Sequence, residues 1–345
     1  MLSINYIPHN ILVTGGAGFI GANFVHYYLK NFPDVKIVNL DLLTYAGSLD
    51  NLEHLPAGSI HHFVKGDICN KELIMKILRE HQIDTIVHFA AESHVDRSIK
   101  GPAPFIQTNI VGTFTLLESA KQYWLEEKKW DFLKCRFHHV STDEVYGSLK
   151  ENDPAFTELT AYSPNSPYSA SKASSDHLVR AYFHTYQLPM TMSHCSNNYG
   201  PLQNKEKFIP TVIESCLNGA AIPVYGNGTN IRDWLYVEDH CAAILSILHQ
   251  GKVGESYNIG GEAEMSNITL VKKICEQMEK QYPQNFSYSS LIAFVEDRPG
   301  HDWRYAMDIS NINSELNWKP KETFETGLRK TIEYFFYKRT HVFPG

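Results

Sequence analysis

The chain has 345 residues, 43% of them apolar and 20% charged, and a formal net charge of −7. That length suits one large α/β unit with a smaller appended lobe, and the composition excludes a disordered or fibrous chain. The acidic balance excludes general binding to nucleic acid or to an anionic membrane, so any phosphate must be held by a few local cations and backbone amides.

The segment Met1 to Asn10 lacks the basic start and apolar run of a signal peptide, and no stretch reaches the roughly 18 apolar residues of a membrane span. Cys69, Cys135, Cys195, Cys216, Cys241 and Cys275 are scattered, with no CxxC pair. They read as reduced thiols of a cytoplasmic protein. The pairs His61-His62 and His138-His139 lie in expected strands, where neighbours face opposite ways, so no metal site is expected.

In chain order, Asn10 to Gly15 reads as a buried strand, Phe19 to Asn31 as a helix and Lys36 to Asp41 as a second strand. Strands at Ile60 to Lys65, Thr85 to Ala90 and Arg136 to Ser141 follow, with helical patterns between them. This alternation predicts βαβ units and a Rossmann-type, doubly wound parallel sheet. After about residue 195, prolines and glycines (Gly200, Pro201, Pro210, Gly219, Pro223, Gly226, Gly228) predict a smaller lobe of long loops and small helices. The expected division is residues 1–195 for a dinucleotide-binding domain and 196–345 for a substrate-binding lobe. Some chain is expected to cross back between the two, with a cleft between them.

Thr14-Gly15-Gly16-Ala17-Gly18-Phe19-Ile20-Gly21 follows the first strand and opens the first helix. Gly15 makes the tight turn, Gly18 lets backbone approach a pyrophosphate, and Gly21 allows close helix–strand packing. The free N–H groups of the helix start then face the anion. Asp41, at the end of the second strand, is placed to bind an adenosine ribose and to repel a 2′-phosphate, which predicts NAD rather than NADP. Asp67 and Ile68 end the third strand, near the expected adenine position.

Tyr168-Ser-Ala-Ser-Lys172 is YxxxK, which puts both side chains on one helix face. The Lys172 ammonium is expected to lower the Tyr168 phenol from its ordinary value of about 10, so that it accepts a proton as hydride leaves carbon. Thr142-Asp143-Glu144 closes a strand at its carboxyl end, where substrates bind. Oxidation uses Thr142, Tyr168 and Lys172 and leaves two adjacent acids over. A β-elimination employs both, one carboxyl as base for a carbon-bound proton and one as acid for a leaving hydroxyl.

With these motifs together, the chain resembles the dTDP-glucose 4,6-dehydratases of the extended short-chain dehydrogenase/reductase family. The likeness runs from TGGAGFIG through DLLTYAGSLDNL, AAESHVDRSIKGP, STDEVYG, SPYSASKASSDHLVRAY, CSNNYGP, RDWLYVEDH, YNIGG and DRPGHDWRYAMD to ETFETGLRKT. The TDE triplet is its specific element, because the related 4-epimerases carry small or apolar residues at the two acids.

The resemblance implies that Tyr168 is base for the C4 hydroxyl, tuned by Lys172 and aided by Thr142, that Glu144 removes the C5 proton, and that Asp143 protonates the departing C6 hydroxyl. It implies NAD contacts from Phe19, Ile20, Asp41, Thr44, Asp67, Ile68, Ala90, Ala91, Thr108, Tyr168, Lys172 and Asn198. For the nucleotide-sugar it implies Ser93, Thr142, Asn197, Lys207, Tyr225, Arg232, Asn267, Arg298 and His301. It also implies a homodimer through the helical segments Phe105–Tyr123 and Pro167–Tyr186, with Ile106, Ile110, Phe114 and Leu117 as an apolar stripe.

The chain departs from the family pattern at Asn204-Lys205, where Phe-Pro is usual, at Trp303, where arginine is usual, and in a short loop from Leu149 to Phe156. Two rival readings stay open. A nucleotide-sugar 4-epimerase leaves Asp143 and Glu144 without a task, and a non-catalytic dinucleotide-binding scaffold has no need of five catalytic groups. A UDP-sugar substrate also stays open.

Overall fold

Apolar runs such as Ile11-Leu12-Val13 leave no polar face, so the strands they form must be covered on both sides. The computed structural model describes residues 6–297 and 300–341. Its first half contains β1 (Asn10–Thr14), β2 (Lys36–Asp41), β3 (Ile60–Lys65), β4 (Thr85–His88), β5 (Arg136–Thr142) and β6 (Met190–Cys195). Then come β7 (Asn197–Tyr199), β8 (Ile222–Tyr225), β9 (Ile231–Tyr236), β10 (Ser256–Ile259), β11 (Glu264–Ser266) and β12 (Ile292–Val295). A seven-stranded sheet runs β10-β6-β5-β4-β1-β2-β3, with every neighbouring pair parallel. The predicted Rossmann-type sheet is therefore present.

Both faces are covered. Leu12, Leu40 and Ile86 meet Ile74, Leu116, Leu117 and Val179 on one side. Ile11, Val13 and Ile37 meet Phe24, Val25, Tyr28 and Ile244 on the other. The strand order reverses at β1 and β4. In open α/β sheets ligands bind in the crevice beyond such a switch point, at the carboxyl ends of the strands.

The later chain differs from expectation in its helices. Its helices are not small: Phe208–Asn218, Asn267–Gln281 and Phe324–His341 have 11, 15 and 18 residues. They share a second core containing Ile213, Val224, Trp234, Ile274 and Leu328, so the prolines and glycines punctuate packed elements, Pro223 lying inside β8 itself, rather than loop-rich chain. Val237–Gln250 and β10 join the main sheet, and Leu149 and Phe156 bridge to Arg304 and Met307. A three-stranded sheet β11-β9-β7 and the parallel pair β12-β8 complete the smaller lobe.

The helical chain from Ala103 to Glu127 is α-helical at Thr113–Ala120 but wound in wider π turns at Ile106–Gly112 and Lys121–Glu127. The wider turns spoil the 3.6-residue register. Ile106, Val111 and Phe114 stand 47%, 37% and 46% exposed, whereas Leu117 is fully buried in the sheet core. Leu117 therefore does not belong to the predicted surface stripe.

Among the described residues, no helix is long and apolar enough to cross a membrane, and no cluster of three His, Cys, Asp or Glu side chains is set to hold a metal ion.

Candidate active site

Beyond β1, β2, β4, β5 and β6 lies a cleft of about 360 Å³. Its floor is the glycine loop. Gly15 has φ +72°, and a side chain there would meet the Ala90 backbone at 2.6 Å. A Cβ on Gly21 would run into the Gly15 carbonyl, and one on Gly18 would crowd the same oxygen at 3.3 Å. The sequence reading missed Gly16, where a Cβ would strike the buried Asn39 side chain. Gly18 begins the helix Phe19–Asn31 with no side-chain cap, which leaves its first N–H groups for a ligand. Asp41 borders the cleft, accepting hydrogen bonds from Ala17 N at 2.9 Å and Leu43 N at 2.8 Å. A pyrophosphate and a ribose fit this loop, helix start and carboxylate.

Gly15, Gly18, Phe19, Ile20, Gly21, Asp41, Thr44, Asp67, Ile68, Ala90, Ala91, Thr108 and Asn198 all line the cleft. So do Ser93, Thr142, Asp143, Glu144, Tyr168, Lys172, Asn197 and Lys207. Tyr225, Arg232, Asn267 and His301 are not among its lining residues. Arg232 donates to the backbone carbonyls of Ile231 at 2.7 Å and Asp302 at 2.9 Å, with its guanidinium 4.2 Å from the Tyr305 ring centre. Tyr225 and His301 approach each other edge to face, and the Asn267 N–H bonds the Asn230 carbonyl. Arg298 lies outside the described residues.

Sequence reasoning did not pick out Cys195, Ser196 and Trp234, which also line the cleft. Cys195 ends β6 just as Thr142 ends β5, so its strand-end position was the available signal. Burial and nearby Asp143 push its thiol up to about 12, which keeps it neutral.

At the mouth, Tyr45 donates to Glu92 at 3.1 Å, while Arg97 lies 3.7 Å over its ring and bonds Glu206 at 3.0 Å. Asn204, at the first departure from the family motif, reaches the Tyr45 carbonyl at 3.1 Å and so spans the cleft. Lys205 instead pairs with Glu214 at 3.3 Å, and Trp303 is part-exposed, its N–H bonding Ser148.

Asp143 is only 2% exposed. Its Oδ1 accepts from the Thr142 hydroxyl at 3.1 Å, and its Oδ2 is buried without a partner. Burial, and then neighbouring Glu144, push this carboxyl well above the usual range, the state of a proton donor. The Glu144 N–H bonds Thr142 Oγ1 at 3.3 Å, which fixes the turn after β5.

Tyr168 and Lys172 ride the helix Pro167–Tyr186, which opens with Ser166 and Ser169 capping each other. The expectation for the phenol is corrected here. Burial and the Glu144 charge push Tyr168 up, not down. The Lys172 ammonium is occupied elsewhere, donating to the Val140 carbonyl at 2.9 Å. Burial pulls Lys172 below its ordinary value, and Asp176, one helical turn further on, opposes that pull.

Asp176 accepts from His139 at 3.1 Å, Ser141 at 2.8 Å, Tyr162 at 3.2 Å and His194 at 3.3 Å. Burial would raise this carboxylate, but the histidine hydrogen bonds outweigh it and hold it far below the usual range. Burial and Lys172 lower His139 to about 4, so its Nε2–H donates to Asp176 and offers Lys172 no lone pair.

This fold and this cleft define a dinucleotide-dependent enzyme with a tyrosine–lysine pair and two strand-end acids. A family model for GDP-mannose 4,6 dehydratase matches residues 12–331. The dTDP-glucose 4,6-dehydratase of Shigella flexneri is 54% identical over 336 residues, covering 94% of this chain and 92% of the relative. The crystal structure of the Bacillus anthracis dTDP-glucose 4,6-dehydratase in complex with NAD is 45% identical, with a TM-score of 0.85 over 96% of this chain and 98% of that one. The Streptomyces venezuelae dTDP-glucose 4,6-dehydratase, also with NAD bound, is 42% identical, with a TM-score of 0.87 and the same coverage. The chain belongs to the dTDP-glucose 4,6-dehydratase family of NAD-dependent hydro-lyases.

Proposed function

We propose that the chain converts dTDP-glucose to dTDP-4-keto-6-deoxyglucose and water, using NAD that is regenerated within each cycle. The observation that carries this reading is the buried Asp143, its carboxyl raised above the usual range by burial and by neighbouring Glu144, in one cleft with Tyr168 and Lys172. A 4-epimerase has no use for that acid.

Bound NAD supplies the acceptor for the C4 hydride, the donor that returns it at C6, and a positive ring near the phenol. Tyr168 accepts the proton of the C4 hydroxyl, which Thr142 holds. Lys172, anchored on the Val140 carbonyl, keeps a positive charge beneath the site. Oxidation at C4 makes the C5 proton acidic, and Glu144 removes it. Asp143 protonates the C6 hydroxyl as it leaves. Glu144 then returns a solvent-exchanged proton to C5. Each acid–base role supports roughly 10²–10⁴-fold of the rate.

Of the nucleotide-sugar set, Ser93, Asn197 and Lys207 have support from the cleft itself. Lys207 spans it by donating to the Ser93 carbonyl at 3.0 Å. Tyr225, Arg232, Asn267, Arg298 and His301 are proposed for the nucleotide end. Product analysis by NMR with dTDP-glucose and UDP-glucose side by side tests the assignment. A 4-keto-6-deoxy product from dTDP-glucose is expected, whereas a galacto-configured product overturns it.

The active form is proposed to be a homodimer joined through exposed Ile106, Val111 and Phe114 and the outer face of Pro167–Tyr186. A monomeric mass by light scattering at micromolar concentration contradicts this. The apolar faces favour association in the cytoplasm, the compartment that six free thiols suit.

A further inference from the structure

The two halves of the proposed reaction rest on different parts of the fold. Oxidation uses groups borne by regular elements. Thr142 is the last residue of β5, paired in register with Cys195, and Tyr168 and Lys172 ride a helix of 20 residues. Elimination uses Asp143 and Glu144, which lie past the end of β5 in one tight turn, Asp143–Tyr146. The strand register stops at Thr142, so the path of this turn is set by what holds its two ends.

At the near end the Glu144 N–H bonds Thr142 Oγ1 at 3.3 Å. At the far end stands Tyr146, which is buried, its ring stacked on Phe156 with centres 5.1 Å apart. Its hydroxyl donates to Asn258 Oδ1 at 2.9 Å and shares a second hydrogen bond with His194 Nδ1 at 3.2 Å. Asn258 and His194 are register partners on β10 and β6, so the phenol is gripped from two adjacent strands at one level of the sheet. Both partners are themselves fixed. The Asn258 amide donates to the Phe156 carbonyl at 2.9 Å, which turns its oxygen toward Tyr146. His194 Nε2 meets the Tyr162 hydroxyl at 2.6 Å and Asp176 Oδ2 at 3.3 Å. One imidazole thus joins the residue that ends the turn of the two acids to the helix of the tyrosine–lysine pair.

Filling this space needs only the ring, because apolar burial has no preferred direction. The hydroxyl adds two directional bonds, which fix where the ring stands and with it the end of the turn. We propose that Tyr146 is a positioning residue for the elimination half of the reaction, its hydroxyl locked between Asn258 and His194 so that Asp143 and Glu144 are held at C5 and C6 of the sugar. Tyr146 is not among the residues that line the cleft, so it acts through the turn and not on the sugar. A shift of about 1 Å in a reacting group costs on the order of 10²-fold in rate, so a slight loosening of the turn suffices. This inference rests on the dehydratase reading above.

Tyr146→Phe keeps the ring and removes both bonds. Rapid-mixing absorbance of reduced nicotinamide and NMR of C5 exchange in D₂O, on the NAD-loaded enzyme with dTDP-glucose, separate the two halves. In the variant, hydride transfer to NAD should stay close to the wild-type rate while C5 exchange and loss of water slow roughly 10- to 100-fold. Reduced nicotinamide then accumulates ahead of product. Equal slowing of both halves, or no slowing of elimination, overturns the proposal. Should Tyr146→Phe fail to fold, two changes at His194 decide. His194→Asn keeps an amide nitrogen where Nδ1 stands, His194→Leu removes it, and both lose the Asp176 contact. Accumulation of reduced nicotinamide in His194→Leu but not in His194→Asn is expected, and equal accumulation in both overturns the proposal. If the wild type forms no 4-keto sugar from dTDP-glucose, the dehydratase reading falls and the task of Tyr146 with it. Normal product from the wild type distinguishes a failure of the Tyr146 proposal alone.

Discussion

Asp176→Asn removes the one carboxylate beneath the tyrosine–lysine pair while keeping its shape. Asp176 accepts four hydrogen bonds, from His139, Ser141, Tyr162 and His194. The amide offers one oxygen, so its NH₂ group must face donors that now lack an acceptor. Each buried donor left unpaired costs about 1–3 kcal/mol. Breaking a buried charged cluster by removing one member costs about 3–5 kcal/mol in all. For a chain of this length that corresponds to a fall of roughly 4–7 °C in Tm.

A second effect separates this cluster from an ordinary core. Asp176 is the group that holds the Lys172 ammonium up against burial. Without it Lys172 loses its proton at lower pH, so the alkaline limb of the kcat profile moves toward neutrality. Calorimetry and a pH–rate profile on the NAD-loaded enzyme measure both effects. A loss of Tm with an unmoved alkaline limb refutes the electrostatic link to Lys172. An unchanged Tm refutes the cluster's role in the fold. Asp176 itself is held below its ordinary value, so its stabilising effect is complete above about pH 4 and is lost as pH falls below that. The difference in Tm between the two proteins should therefore narrow in that acid range.

Burial holds His88 and His138 well below their ordinary value, His139 at about 4 and His240 at about 3, so stability should be full above about pH 6.5 and be lost as pH falls toward 4 and 3. Each histidine contributes at most about 1.4 kcal/mol per pH unit, and a Tm that stays flat from pH 7 to 5 by calorimetry contradicts this. Gly21→Ala forces a Cβ onto the Gly15 carbonyl and should cut retained NAD on the order of tenfold or more, a loss of about 1.4 kcal/mol. Full NAD content in the purified variant refutes that packing argument. Asp41→Ala should weaken NAD by about 10- to 100-fold, the range for a hydrogen bond to a charged group, while NADP loses far less. Equal losses, measured by equilibrium titration, mean that Asp41 does not hold the ribose.

Much of this architecture was legible in the chain because the strongest signals were local. The strand Lys36–Asp41 follows from its apolar run and the helix Phe19–Asn31 from the glycine loop that opens it after β1. What was not legible depended on tertiary packing. Phe114 and Leu117 sit one turn apart in the regular helix Thr113–Ala120, yet the first is exposed and the second packs in the sheet core, because the edge of the buried face runs between them. Gly16 looked like a spacer in the glycine pattern, yet its missing side chain leaves room for Asn39 from β2. The i,i+4 spacing correctly set Tyr168 and Lys172 on one face. It gave no warning that the ammonium would turn to Val140, because that carbonyl arrives from another strand. Nor did the second half announce β10, four residues that return the chain to the edge of the main sheet.

The central claim is that one site oxidises C4, eliminates water across C5 and C6, and returns the same hydride at C6. It is tested most directly with dTDP-glucose carrying deuterium at C4, in both H₂O and D₂O for the wild type and in D₂O for Glu144→Gln and Asp143→Asn, with products read by NMR. The account predicts that the C4 deuterium appears at C6 without loss to solvent. Wild-type product made in D₂O should carry solvent deuterium at C5. Glu144→Gln should lose C5 exchange while Asp143→Asn keeps it, with elimination slowed roughly 10²–10⁴-fold. Deuterium remaining at C4 in an inverted sugar, or C5 exchange undiminished in Glu144→Gln, contradicts it.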